Sequence, residues 1–137
     1  MPPEQWDALV CGEQCPLCAA ITSQEPVNPD GYTVANLAMS RLRLVVNQFV
    51  PGFCVLICQR HVQELYYLTH EERSRYVEDL LCTAQALEAI FQPLKMNVQF
   101  LGNAVPHLHC HIIPRCYGDA APGSPLDPHT DTHLLSV

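Results

Sequence analysis

The chain has 137 residues, enough for one domain with a real core, and its 48% hydrophobic and 15% charged residues are ordinary for a globular protein. Fourteen Asp and Glu against seven Lys and Arg give a net charge of −7, which repels nucleic-acid backbones and leaves a small phosphorylated ligand, held by a few local donors, as the compatible kind of partner. Met1-Pro2-Pro3-Glu4-Gln5 has neither the basic nor the apolar part of a signal peptide, and no stretch approaches the roughly 18 apolar residues of a membrane span, so a cytoplasmic protein without a membrane partner is expected.

The stretch from Trp6 to Ala20 carries Cys15-Pro16-Leu17-Cys18, and the cluster of Pro, Asn, Asp and Gly from Pro26 to Gly31 reads as a loop. Leu42, Leu44 and Val46 alternate with Arg41, Arg43 and Val45, which predicts a strand over 38–48 with both arginines on the wet face. Val50-Pro51-Gly52 is a turn, and 53–58 a second, more buried strand; so short a connection predicts an antiparallel hairpin. Thr69-His70-Glu71-Glu72 is a capping box with Thr69 as N-cap. Tyr76, Val77, Leu80, Leu81, Ala84, Leu87 and Phe91 then recur at helical spacing until Pro93 stops the run, while His70, Glu71, Glu72 and Arg75 read as solvated. A third strand over 95–101 leads to the loop Gly102-Asn103-Ala104-Val105-Pro106, and a fourth runs from about His107 to Ile113. Strands segregated from one dominant helix predict an α+β domain over 1–118. The Pro-, Gly- and Asp-rich residues 119–137 predict an extended tail.

Eight cysteines in a chain with ample aliphatic core material do not suggest a disulfide scaffold. Cys54, Cys58, Cys82 and Cys110 sit in apolar periodic segments, where a free thiol behaves as a small hydrophobe. Cys15 and Cys18 have a metal-ligand spacing but fill only half of a tetrahedral site. A thioredoxin-like redox pair lacks its βαβ context. A finger closed by His129 and His133 would need a loop of over 100 residues.

His107, His109 and His111 alternate with Leu108, Cys110 and Ile112. In a strand, three such imidazoles share one face, with neighbouring Cα atoms about 6.5 Å apart, while the apolar residues turn to the core. Imidazole is a nucleophile and a proton carrier near neutral pH, so the run suits phosphoryl chemistry; alternate histidines also suit zinc or copper.

The run His107-Leu108-His109-Cys110-His111-Ile112-Ile113 resembles the signature of the histidine-triad (HIT) superfamily, three histidines alternating with apolar residues. Gly102-Asn103-Ala104-Val105-Pro106 before it, Pro114-Arg115 after it, Pro51-Gly52 and Gln59-Arg60-His61-Val62 are similar to that family as well. The resemblance implies an antiparallel sheet of about five strands with one long and one shorter helix, commonly dimerised. It implies a nucleotide hydrolase or nucleotidyl transferase cleaving at the α-phosphate of a dinucleoside polyphosphate or nucleoside phosphoramidate through a nucleotidyl-histidine intermediate. In that pattern His109 is the nucleophile, His111 contacts the phosphate or leaving group, and His107 orients the site. Gly102 and Asn103 contact phosphate, and Asn47 holds the ribose hydroxyls. Two positions depart: Cys58 stands where the family often has Pro, and Phe53 where it often has His. Some relatives, the galactose-1-phosphate uridylyltransferase branch among them, complete a CxxC with two histidines, which implies a structural zinc on Cys15, Cys18, His61 and His107. A non-catalytic nucleotide- or protein-binding module on the same fold is the alternative.

Overall fold

The computed structural model describes residues 1–119 and 121–126; the remainder of the expected tail, with His129 and His133, lies outside the described residues. Two short helices come first, α1 over Pro3–Val10 and α2 over Pro16–Thr22, each with proline in the first turn, where its missing N–H is not needed. Strands β1 (Val27–Asn28), β2 (Gly31–Asn36), β3 (Ser40–Val45) and β4 (Cys54–Cys58) follow. A short 3-10 turn at Leu65–Tyr67 leads into helix α3 (His70–Phe91), and β5 (Lys95–Gln99) and β6 (His109–Arg115) complete the order. The strands form one six-stranded sheet in the order β1-β2-β3-β4-β6-β5, antiparallel at every pairing. The α+β expectation holds, with six strands instead of about five and two short N-terminal helices instead of one.

The additional strands come from the segment read as a loop, Pro26 to Gly31, and from the residues that follow it. Asn28 Oδ1 accepts hydrogen bonds from the N–H groups of Asp30 and Gly31 at 3.1 and 3.2 Å, making a turn that lays β1 against β2. Gly31-Tyr32-Thr33-Val34-Ala35-Asn36 has no clean apolar alternation; pairing with β3 makes it a strand. The expected hairpin is present as β3 and β4, Leu42 opposite Leu56. Both halves of the capping box form: Thr69 Oγ1 accepts from Glu72 N at 3.2 Å, and the Glu72 carboxylate accepts from Thr69 N at 2.8 Å. Gln92, in the left-handed conformation at φ 47°, ends α3 before Pro93.

β6 begins at His109, two residues later than expected, and runs through Pro114. Pairing with β4 ends at Cys54 opposite Ile112, so the missing N–H of Pro114 falls where no partner strand remains on that side. Leu108, Cys110 and Ile112 pack with Leu56, Cys58, Tyr76 and Leu87 in the core between sheet and α3. Tyr76 is fully buried and donates its hydroxyl to Leu56 O at 2.8 Å. The inner stripe of α3 also contains Asp79 and Thr83; Asp79 accepts from Met39 N and Ser40 Oγ at 2.8 and 2.7 Å and so locks the start of β3. Val77 and Leu81, expected on the apolar face, are exposed.

The arginines of β3 are not on a wet face. Arg43 is 3% exposed and donates to Thr33 Oγ1, Asn28 Oδ1 and Gly31 O. Arg41 ties α2 to the sheet through Ala20 O and Ser23 O. Beyond residue 118 the chain does not leave the domain at once. Leu126 is buried against Phe49, Val50, Phe53 and Ile113. Arg115 holds Asp119 at 2.6 Å and the carbonyls of Ala121 and Ser124. Among the described residues, no helix is long and apolar enough to cross a membrane.

Candidate functional site

The three alternate histidines separate into two environments. His109 and His111 lie on β6 with ring centroids 5.5 Å apart, on the sheet face opposite α3. His107 precedes the strand, is 1% exposed, and turns its ring toward His61 and the N-terminal cysteines. The shared face of three imidazoles therefore reduces to a pair, because the strand that would align them starts only at His109.

His109 Nδ1 lies 2.6 Å from the carbonyl oxygen of His107. Only a protonated nitrogen can donate there, so Nδ1 carries the hydrogen and the lone pair is left on Nε2. Burial holds His109 below the ordinary imidazole range, although the bonded carbonyl pulls the other way. The result is a neutral imidazole with a fixed tautomer and a nucleophilic nitrogen. His111 stands opposite Val55 on β4 and Gln99 on β5, and its ring packs 5.4 Å from Phe53, the residue found where a further histidine was noted as missing.

Gly102 reaches φ +97°, a backbone conformation that side chains rarely adopt, and starts the loop that returns the chain to His107. Gly102 lines a small cavity together with His109, and Asn103 beside it is exposed. Asn47, half-buried, follows β3 on the connection to β4. That connection is braced by Gln48, which donates to Val45 O and Phe53 O and accepts from Gly52 N at 2.8 Å. Gly52 is required there: its φ is +88°, and a Cβ would come 2.6 Å from the Phe91 ring. Gln99 escaped sequence reasoning. It sits opposite His111 on the same face, its amide donates to Leu126 O, and its Oε1 is buried without a hydrogen-bond partner among the described residues. Only the pairing register reveals it.

The second environment joins α2, the end of β4 and the approach to β6. The donor atoms of Cys15, Cys18, His61 and His107 all lie within 4.8 Å of one another. Sulfur-to-nitrogen separations are 3.5, 3.2 and 3.4 Å, and the two Nδ1 atoms are 3.0 Å apart. Tetrahedral ligands of one zinc-sized ion stand about 3.5 Å (S to N) and about 3.3 Å (N to N) apart, so the spacing fits a metal. Orientation agrees. His61 Nε2 is 2.9 Å from Val10 O and His107 Nε2 is 2.7 Å from Cys58 O, so each outer nitrogen donates to a carbonyl and both Nδ1 lone pairs point inward. Burial holds His107 neutral-favouring as well, and burial with the neighbouring Cys15 pushes the Cys18 thiol up to about 11, a proton that metal binding would displace. The four residues can hold a metal ion.

Residues 30–117 match the HIT domain family. The protein named Protein hit from Bacillus subtilis is 30% identical over 116 residues, covering 79% of this chain and 74% of that protein. An asymmetrical bis(5'-nucleosyl)-tetraphosphatase from Schizosaccharomyces pombe is 29% identical over 102 residues, covering 71% of this chain and 55% of that enzyme. Among solved structures, a histidine triad protein from Bradyrhizobium japonicum superposes with a TM-score of 0.73 at 27% identity, covering 78% of this chain and 80% of that one.

Proposed function

Because the chain belongs to the HIT family, we propose that it is a nucleotide hydrolase or nucleotidyl transferase acting at the α-phosphate of a dinucleoside polyphosphate or nucleoside phosphoramidate. The observation that carries this reading is the 2.6 Å bond from His109 Nδ1 to His107 O, which leaves Nε2 as a free nucleophile beside His111 and the Gly102 loop. Nε2 of His109 attacks the α-phosphorus to give a nucleotidyl-histidine. His111 supplies a proton to the departing group. Water then displaces His109 and releases the nucleoside monophosphate. Gly102 and Asn103 contact the phosphate, Asn47 holds the ribose, and His107 positions the nucleophile through its carbonyl. The S. pombe relative, named as a tetraphosphatase, supports a phosphate-cleaving role.

Zinc is the metal assigned to Cys15, Cys18, His61 and His107, since two thiols and two imidazoles form a donor set typical of closed structural sites. With all four positions filled by protein, its part is to pin α2 against the sheet and fix His107. A homodimer is supported by the edge position of β5 among the described strands and by the exposed apolar side chains of Val77, Leu81 and Ile90 on α3, Leu94 after it and Val98 on β5. Eight free thiols fit a reducing cytoplasm.

The test is to incubate the protein with a panel of dinucleoside polyphosphates and phosphoramidates and identify released nucleotides by mass spectrometry. An alkaline quench retains a phosphoramidate adduct on His109, whereas acid destroys it. Tight nucleotide binding with no release and no adduct would leave the binding-module alternative standing.

A further inference from the structure

We propose that residues 121–126 form a strap closed over the histidine face of β6, with Leu126 as its plug, and that a nucleotide conjugate must lift this strap to reach His111. This rests on the reading of that face as the nucleotide site and adds a means of regulating it.

Alternate residues of a strand share one face, so Ile113 and Arg115 continue the row of His109 and His111 along β6. On β5 the same face carries Gln99 opposite His111, Asn97 opposite Ile113 and Lys95 opposite Arg115. The core under α3 lies on the other face, with Cys110 and Ile112. Ile113 is nevertheless 0% exposed. It is covered by Phe49, Val50 and Phe53, and by Leu126, which returns from beyond the end of the strand.

The position of Leu126 follows from its two sets of contacts. Its buried side chain packs with Phe53, the residue before β4, on one side of β6. Its carbonyl accepts from Gln99 Nε2 at 3.3 Å, on the β5 side. A residue that touches both neighbouring strands lies across the strand between them. Leu126 therefore crosses β6 at His111 and Ile113, and the Phe53 ring it packs with stands 5.4 Å from that of His111.

The strap is held unevenly. Its root is a clamp: Arg115 donates to both carboxylate oxygens of Asp119 at 2.6 and 2.9 Å, to Ala121 O and Ser124 O at 2.6 Å each, and to Asn97 Oδ1 at 3.0 Å. That uses every N–H a guanidinium has. The tip has one long hydrogen bond and one apolar side chain. Closure also leaves Gln99 Oε1 buried with no hydrogen-bond partner among the described residues, a cost that opening relieves. A fixed root and a weak tip allow local opening while the domain stays folded. Strap and conjugate compete for one face, so the apparent affinity is reduced by the fraction of molecules that are open.

Methyl NMR of the full chain, with His109→Ala to prevent turnover, reads the strap directly. With the strap down, the Leu126 methyls sit among the rings of Phe49 and Phe53. Saturation with a dinucleoside tetraphosphate should move them to the shifts of a solvated leucine, and inorganic phosphate should not. Leu126→Ala in the same background, its folding checked by circular dichroism, should bind the tetraphosphate about 10-fold more tightly in calorimetry. Methyls unmoved at saturation, methyls moved equally by inorganic phosphate, or a tetraphosphate held no more tightly by Leu126→Ala would each overturn the strap. Any of these results leaves the nucleotidyl-histidine reading to its own test, adduct formation at His109. Release of Leu126 without cleavage by the wild-type chain would sink that reading and keep the strap. No binding of the tetraphosphate would bring down both.

Discussion

His107 and His109 stand two residues apart and work in different surroundings. His107 is sealed between α2 and the end of β4, with one nitrogen on a carbonyl and the other aimed at two thiols and a second imidazole. His109 lies on the strand face, with one nitrogen on a carbonyl, and lines a cavity. Both rings are set by the same device, a backbone acceptor that selects the tautomer. What differs is the surroundings: a ring of donors able to hold a metal in one case, an open cavity in the other. The comparison teaches that a repeated residue takes its surroundings from whether it falls just before the strand or on it.

The largest expected effect tests the cleft side. His109→Ala should lower single-turnover cleavage by at least about 10⁴-fold, as loss of a nucleophile does, while nucleotide binding measured by calorimetry persists through Gly102, Asn103 and Asn47. Full activity in that variant would refute the assignment. Next comes His111→Ala. Removal of a proton donor should cost about 10²–10⁴-fold, least with conjugates whose leaving group departs unaided, and a plot of rate against leaving-group acidity would show the steeper dependence.

The cluster side should respond in stability and metal content before activity. Elemental analysis of protein purified without chelators should find about one zinc per chain. Cys15→Ser should lose most of it and melt about 10 °C lower in calorimetry. Unchanged metal content with lost activity would mean that the two environments are one. The smallest effect lies at the far end of β6, where Arg115 and Asp119 anchor the strand. The Arg115 guanidinium holds the Asp119 carboxyl below the usual carboxylate range. A depressed folded pKa stabilises above the unfolded value and is lost as pH falls through the folded one. Asp119→Asn should therefore cost about 2 kcal/mol at pH 7 and progressively less as pH falls below the ordinary carboxylate range, read as melting temperatures in acid and at neutrality.

Much of this was legible in the residues. The capping box at Thr69, the apolar alternation of Leu108, Cys110 and Ile112, and the short turn at Pro51-Gly52 are local patterns, and each produced its element. The resemblance named the cysteine and histidine donors before any distance was known, and those donors converge. Less legible was whatever depends on pairing. β2 carries no strand pattern of its own, Arg43 looks solvent-facing until β1 and β2 close over it, and Gln99 matters only through its register with His111.

The sequence by itself therefore determined the long helix, the hairpin, the α+β class and the alternation that turns Cys110 and Ile112 to the core, because spacing along the chain sets local conformation. Only the tertiary structure decided that His107 turns away from His109 and His111, that Arg43 is buried under β1 and β2, and that Gln99 stands opposite His111. Those outcomes depend on where β6 starts and what closes around it. Hydrogen-bond partners far apart in the chain set both, and no local pattern encodes them.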